Sequence, residues 1–248
     1  MNSLQYFFTY EKDIPEGIGF GIFGLGHWLW LALLTVLTIV LLRKYVAAGE
    51  KTRRIWSRLV GFSMPVWMLL RATYIFCIGE SFRTELPLHL CSMTGLLCAL
   101  HCVTGWKWLG QVLYAIGLPG TILALIFPDW NTYPAIHFIS VEGFFFHAGI
   151  VLYVVSQLYS HGIVPKLGKM WQVMLFLIMV VTPIYFLDKA WDVNYMFVNQ
   201  PSQGSPLELL EEYLGNPGYL FGYAGLIFLC IFLMDLGYVL VTRRRSTF

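Results

Sequence analysis

Seven long apolar stretches, separated by short polar segments, constrain this chain more than any other feature of its sequence. A helix needs about 20 mostly apolar residues to cross the hydrocarbon core of a bilayer. Of all residues 58% are apolar and 12% are charged, whereas a soluble domain of this size has roughly 45–50% apolar residues. We therefore predict an all-α polytopic bundle of about seven transmembrane helices, forming one domain over residues 1–248. The predicted spans are approximately 22–42, 59–79, 86–103, 107–127, 138–159, 170–187 and 218–241.

The distribution of basic residues predicts the orientation of this bundle. With seven spans, 12 of the 16 Lys and Arg residues fall on the side that holds the C-terminus. Cytoplasmic loops carry an excess of Lys and Arg, so we predict an outside N-terminus and a cytoplasmic C-terminus. Residues 11–16 mix acidic and basic side chains, which does not match the basic leader of a cleavable signal peptide. The sequence thus predicts a multi-pass cell-membrane protein, with a short interfacial helix over Leu207–Leu214 outside.

Ionisable side chains inside the predicted spans are the first candidates for function, because lipid strongly disfavours charged groups. On the predicted topology, several of them fall in the outer half of the bilayer and could converge on one cavity. Ser140, Gly143 and His147 recur at helical spacing, which predicts that this face of the fifth span looks inward. The candidates in the outer half are Arg71, His89, Cys91, Glu142 and His147, with His27 near the end of the first span.

These residue types suit covalent catalysis on a lipid. A cysteine nucleophile needs a base that accepts the thiol proton. His89 lies two residues from Cys91 and points to a different face of a regular helix, whereas His147 comes from another span and can face the thiol. Arg71 could bind a lipid phosphate through its planar guanidinium. The structural alternatives are that Cys91 is a small packing residue, and that Arg71 and Glu142 form an ion pair.

The sequence predicts no cofactor, no metal site and no nucleic-acid partner. The five cysteines lie in apolar stretches without zinc-finger or CxxC spacing. Cys98, His101 and Cys102 share a helical neighbourhood, which we interpret as packing. Trp130 lies at the end of a span, which predicts a place in an interfacial aromatic belt.

The string LPLHLCSM over residues 86–93, followed by EGFFFH over residues 142–147, resembles the YwaF-type integral membrane proteins. Animal relatives of that family include an acyltransferase that remodels ether phospholipids with a Cys and a His, each within a membrane helix. The resemblance spans most of the chain. It implies that Cys91 and His147 are the catalytic pair, with His137 as a competing base. It also implies a location in the bacterial plasma membrane.

We therefore predict a phospholipid acyltransferase in which Cys91 forms a thioester and His147 acts as general base. Membrane phospholipids are the expected substrates and the expected acyl donor. The same pair could instead serve a lipid hydrolase. A transporter or scramblase, in which the polar residues line a path, and an accessory subunit are alternatives without chemistry. A retinal receptor is disfavoured because the last span, 218–241, contains no lysine. The acyl chain, the head group, the acceptor and the oligomeric state stay open.

Overall fold

A computed structural model describes residues 3–79, 83, 85–202 and 205–245, and their regular structure is entirely helical. The predicted all-α class is therefore confirmed. Short 3₁₀ turns lie at Ser3–Tyr6, Glu11–Asp13, Leu167–Lys169 and Tyr195–Phe197. The α-helices are α1 (Leu25–Ala47), α2 (Glu50–Cys77), α3 (Leu90–Thr104), α4 (Lys107–Val112), α5 (Leu118–Ile126), α6 (Phe138–Tyr159), α7 (Met170–Trp191), α8 (Pro206–Leu214) and α9 (Tyr219–Arg245).

Six helical segments among the described residues are long and apolar enough to cross a membrane. The predicted membrane class is thus confirmed. Helix α3 has 15 residues and is about 22 Å long at the usual rise per residue, which is shorter than the roughly 30 Å hydrocarbon core. A seventh crossing and the sidedness of the termini stay predictions. The six segments are Leu25–Ala47, Glu50–Cys77, Lys107–Ile126, Phe138–Tyr159, Leu167–Trp191 and Tyr219–Thr242.

Two helix boundaries differ from the apolar stretches for clear reasons. Helix α2 begins at Glu50, nine residues before the predicted span, because the polar segment 50–58 is helical too. Glu50 stands in its first turn, where a carboxylate complements the helix dipole. Helix α8 begins at Pro206 after Ser205, whose hydroxyl accepts from the Leu207 backbone N–H (3.2 Å). The interfacial helix predicted over Leu207–Leu214 is therefore confirmed as a helix.

The fourth apolar stretch is interrupted by a π turn at Leu113–Gly117, between α4 and α5. Pro119 lies in the first turn of α5 and has no backbone N–H to donate to the preceding turn. The Thr121 hydroxyl donates to the Gly117 carbonyl (2.6 Å). A π turn is a common way to absorb a residue that regular α-helical bonding cannot accommodate.

Helix α6 is the central element of the bundle and packs against α1, α2, α3 and α5. Its apolar window is 67% buried, against 11% for the windows of α1 and α9. The outer helices therefore offer most of their surface to lipid. Gly95 allows α3 to approach α6 closely, since a Cβ there would lie 2.8 Å from Cζ of Phe146. This contact lies one turn below Cys91.

Candidate functional site

Three elements bring polar groups together around the first turn of α3. Cys91 is half-buried in that turn. His147 lies in the middle of α6 and is 9% exposed. Asp129, in the loop between α5 and α6, is exposed and lies within electrostatic range of both side chains. The two residues predicted as a catalytic pair therefore share Asp129 as a charged neighbour, and this carboxylate is exposed at the surface of the bundle.

The hydrogen bonding of His147 defines its tautomer. Its Nδ1 lies 2.6 Å from the carbonyl oxygen of Gly143, one turn earlier in α6. A carbonyl only accepts, so Nδ1 carries the proton and Nε2 keeps its lone pair. Among the described residues none forms a hydrogen bond with Nε2. The free nitrogen has the form that a general base requires.

Trp130 forms the wall behind His147. Its ring stacks on the imidazole, with centroids 4.9 Å apart and planes 27° from parallel. The residue is 7% exposed, so its ring packs inside the bundle rather than on the outer surface of the bundle. The loop after α5 folds back over α6 and inserts the indole, which its position in the sequence does not reveal. Gly143 makes room for the ring, because a Cβ there would lie 2.9 Å from Cε2 of Trp130.

Among the described residues, no hydrogen bond joins Cys91 to His147. Helix α3 nevertheless packs directly on α6, and Phe146, the neighbour of His147, meets Gly95 one turn below Cys91. Catalytic hydrogen bonds are often long or misaligned without substrate and tighten when it binds. The two side chains therefore lie on adjacent, packed helices and share no hydrogen bond in this structure.

Arg71 is held by two carboxylates. It donates from Nε and Nη2 to both oxygens of Glu85 (2.7 and 3.4 Å) and from Nη1 to Glu142 (3.3 Å). Its side chain is 35% exposed, against 5% for Glu142. The group of three has a net charge of −1, which disfavours a phosphate. The geometry thus favours the structural alternative, in which Arg71 and Glu142 form an ion pair. Together with Glu85, this pair joins α2, α6 and the segment before α3.

His89 borders a polar cavity of about 470 Å³ next to the first turn of α3. The half-buried ring meets Tyr195 edge-on, at 4.9 Å between centroids. The loop after α7 supplies the rest of the cavity. His89, which borders the cavity, precedes Cys91 by two residues. The other residues that line the cavity are Asp192, Val193, Asn194, Tyr195, Asn199 and Gln200.

His27 and His137 use both ring nitrogens in structural contacts. His27 accepts from the Phe23 backbone N–H (3.0 Å) and donates to the Leu125 carbonyl (2.9 Å). His137 caps α6 by accepting from the Ile139 N–H (3.1 Å), and it donates to the Thr9 carbonyl (3.0 Å). Burial lowers the pKa of His137, although the Thr9 carbonyl and Glu11 act in the opposite direction. Neither ring has a free nitrogen, which favours structural roles for both.

Three residues of this site were not candidates from the sequence: Glu85, Asp129 and Trp130. All three lie outside the apolar spans, and the search for functional groups considered ionisable residues inside them. One signal was present for Glu85, which directly precedes the LPLHLC string. Asp129 and Trp130 follow Pro128 at the end of a span, and only the folded loop places them beside α6.

The chain matches the TMEM164 family over residues 22–235. That range contains α1 to α8, most of α9 and every residue of the site described above. Neither a curated protein nor a solved structure matches the chain. The family match covers most of the 248 residues and agrees with a bundle of membrane-spanning helices. The protein belongs to the TMEM164 family of transmembrane proteins.

Proposed function

We propose that this protein is a membrane-embedded phospholipid acyltransferase with Cys91 as nucleophile and His147 as general base. One observation carries the proposal: Nε2 of His147 is unengaged in the interior of the bundle, on the helix next to a half-buried cysteine. The Cys and His of the LPLHLC and EGFFFH strings support it through the resemblance to lipid acyltransferases.

The first half-reaction would transfer an acyl group to the enzyme. Nε2 of His147 takes the proton from the Cys91 thiol, and the sulfur attacks the acyl carbonyl carbon of a phospholipid. The ester C–O bond breaks as the thioester C–S bond forms. The proton on His147 passes to the leaving oxygen, so a lysophospholipid departs with its hydroxyl restored.

The second half-reaction would return the acyl group to an acceptor. His147 takes the proton from a lysolipid hydroxyl, and its oxygen attacks the thioester carbon. The C–S bond breaks, and the sulfur recovers a proton from His147. If water replaces the lysolipid, the same sequence releases a free fatty acid. Hydrolase and transferase therefore differ only in the acceptor.

Asp129 and His89 have supporting roles in this scheme. Each turnover passes through a protonated His147. Burial and Arg71 disfavour that cation, and the Asp129 carboxylate within electrostatic range favours it. His89 lines the polar cavity beside the first turn of α3, where a lipid head group can lie. Arg71 is left out of substrate binding because Glu85 and Glu142 already occupy its donors.

The predicted topology suggests the acyl donor. With the N-terminus outside, Cys91 and His147 fall in the outer half of the bilayer. Cytoplasmic acyl carriers do not reach that depth, whereas phospholipids of the outer leaflet do. A membrane phospholipid is thus the proposed donor.

Intact-protein mass spectrometry after incubation with a defined diacyl phospholipid tests the proposal. We expect a mass increase of one acyl chain that hydroxylamine removes, in wild type but not in Cys91→Ala. Cys102→Ala is the matched control, because it removes another half-buried thiol of α3 and should keep the adduct. Adding a lysophospholipid or only water separates transferase from hydrolase by the product. If no variant gains an acyl mass or releases lysolipid or fatty acid, the proposal fails and transport becomes the better account.

A further inference from the structure

A second ligand-sized feature lies at the other end of α2, away from Cys91. It is an open surface cavity of about 390 Å³ on α2 alone, lined by Glu50, Lys51, Arg54, Ile55 and Arg58. The polar side chains that line it are exposed. Three cations and one carboxylate leave a net charge of +2. Arg58 precedes Arg71 by 13 residues on the same helix, so the two lie about 20 Å apart.

The cations of this cavity are available for a ligand. Arg54 pairs with Glu50 at 2.9 Å, but both side chains are largely exposed, at 66% and 87%. Such a pair is weak and readily exchanged. Lys51 and Arg58 have no hydrogen bond or ion pair among the described residues. An anion entering the cavity would not have to displace a buried partner.

An apolar stripe continues directly from these cations along the same face of α2. Its residues recur at alternating intervals of four and three, so they lie above one another on the helix. All of them are exposed, so no other helix of the bundle covers the stripe. They are Ile55 (50% exposed), Leu59 (66%), Phe62 (48%), Val66 (55%) and Leu69 (67%).

A cationic cavity that continues into an open apolar stripe has the chemistry of one phospholipid molecule. Lys and Arg groups next to a membrane attract anionic head groups, and the guanidinium fork suits phosphate oxygens. The stripe runs from the cavity along α2 to Leu69, as an acyl chain would. A soluble phosphate compound would contact the cations but not the stripe.

We propose that α2 holds one anionic phospholipid, with its phosphate between Lys51, Arg54 and Arg58 and its acyl chains along Ile55–Leu69. By the predicted topology this lipid belongs to the cytoplasmic leaflet. The site is separate from the proposed acyl-transfer site and does not depend on it.

Native mass spectrometry of full-length protein released from nanodiscs tests this site, with phosphatidylglycerol and phosphatidylcholine as probes in equal amounts. We expect wild type to retain one phosphatidylglycerol in preference to phosphatidylcholine. The triple variant Lys51→Gln/Arg54→Gln/Arg58→Gln should lower that retention by about tenfold or more, since each cation contributes separately. Glu50→Gln should raise retention, because it frees Arg54 and removes the only negative group of the cavity.

The matched control is Arg43→Gln/Lys44→Gln/Lys166→Gln, which removes the same charge from exposed positions on the same predicted side. It should leave retention nearly unchanged. An equal loss in both triple variants would overturn the proposal, because it would indicate only a general attraction of basic loops to anionic lipid. Equal retention of both lipids, or displacement of phosphatidylglycerol by glycerol phosphate, would overturn it as well. Unchanged thermal unfolding of the variants excludes misfolding as the cause of a loss.

Discussion

Cysteines and histidines occur near both ends of α3, but in different environments. At its start, Cys91 is half-buried, and His147 of α6 keeps a free Nε2 within electrostatic range of the exposed Asp129. At its other end, Cys98 is fully buried and His101 shares a hydrogen bond of 2.8 Å with the Tyr153 hydroxyl.

The difference shows why residue type alone is a poor guide to a catalytic cysteine. Nε2 of His101 is also without a partner among the described residues, but it is sealed in the interior. The Cys102 thiol donates to the Ala99 carbonyl of its own helix (3.0 Å). A nucleophile must be reachable by substrate and its base must release a proton to solvent or substrate. The first end of α3 borders the polar cavity through His89.

The largest effect that tests this comparison is the loss of the proposed nucleophile. On the proposed mechanism Cys91→Ala should abolish acyl transfer, because the thioester forms on the Cys91 sulfur. Cys102→Ala should retain activity close to wild type. The measurement is lysolipid formation from a defined phospholipid in proteoliposomes. Activity that survives in Cys91→Ala would remove the distinction between the two ends.

The next effect concerns the two histidines. His147→Ala should reduce the rate by roughly 10²- to 10⁴-fold, as expected for loss of a general base. His101→Gln removes a buried histidine of similar size and should alter thermal stability more than the rate. Acylation rates and melting temperatures of both variants, measured together, check this. The assignment of the base is wrong if His101→Gln is the slower enzyme.

The ion-pair network predicts a loss of stability rather than of substrate binding. Arg71→Gln leaves Glu142, whose side chain is 5% exposed, without its cation. We expect a loss of about 2–3 kcal/mol, below the 3–5 kcal/mol typical of fully buried pairs because Arg71 is partly exposed. Denaturant unfolding in detergent measures it. The double variant Arg71→Gln/Glu142→Gln should recover part of the loss, whereas a pure rise in KM at unchanged stability would return Arg71 to phosphate binding.

A smaller effect tests the packing behind His147. Gly143→Ala would force the Trp130 ring away from α6, and overpacking of this kind costs about 1–3 kcal/mol. Because that ring stacks on His147, the rate should fall as well. Gly225→Ala in α9 is the control, since a Cβ there would have no neighbour within 4 Å. Equal behaviour of the two variants would show that Trp130 does not position the imidazole.

The smallest effect is a pH dependence from His137, the capping histidine. Burial lowers its pKa in the folded protein, so the unfolded chain takes up the proton first as the pH falls. The stability contribution is therefore complete above about pH 6.5, the ordinary pKa of histidine, and decreases below it. Comparing unfolding at pH 7.5 and pH 5.5 measures the decrease. His137→Asn, which can still cap α6, should reduce it; an unchanged decrease would assign it to another group.

Much of the fold could be predicted from periodicity and hydropathy alone. The apolar stretches predict the positions of five helices to within about five residues, apart from the polar start of α2: α1, α2, α6, α7 and α9. A helix that crosses lipid needs a long, mostly uninterrupted run of apolar residues, which a hydropathy profile detects. The helical start of α2 could not be placed, since the segment from Glu50 to Arg58 is polar and lies beyond the apolar run. The π turn at Leu113–Gly117 is a local change in backbone hydrogen bonding, which no hydropathy profile reports.

What the sequence by itself determined is the class of the protein and the short list of polar groups that a membrane must accommodate, including Cys91 and His147. Only the tertiary structure decided which of those groups have a hydrogen-bond or ion-pair partner. Both ring nitrogens of His27 and of His137 form hydrogen bonds. Arg71 forms ion pairs with Glu85 and Glu142. Nε2 of His147 has no hydrogen-bond partner among the described residues. The physical reason is that the satisfaction of a buried polar group depends on atoms far away along the chain. Hydropathy reports the cost of burying a residue, and only the packed helices show which partner offsets it.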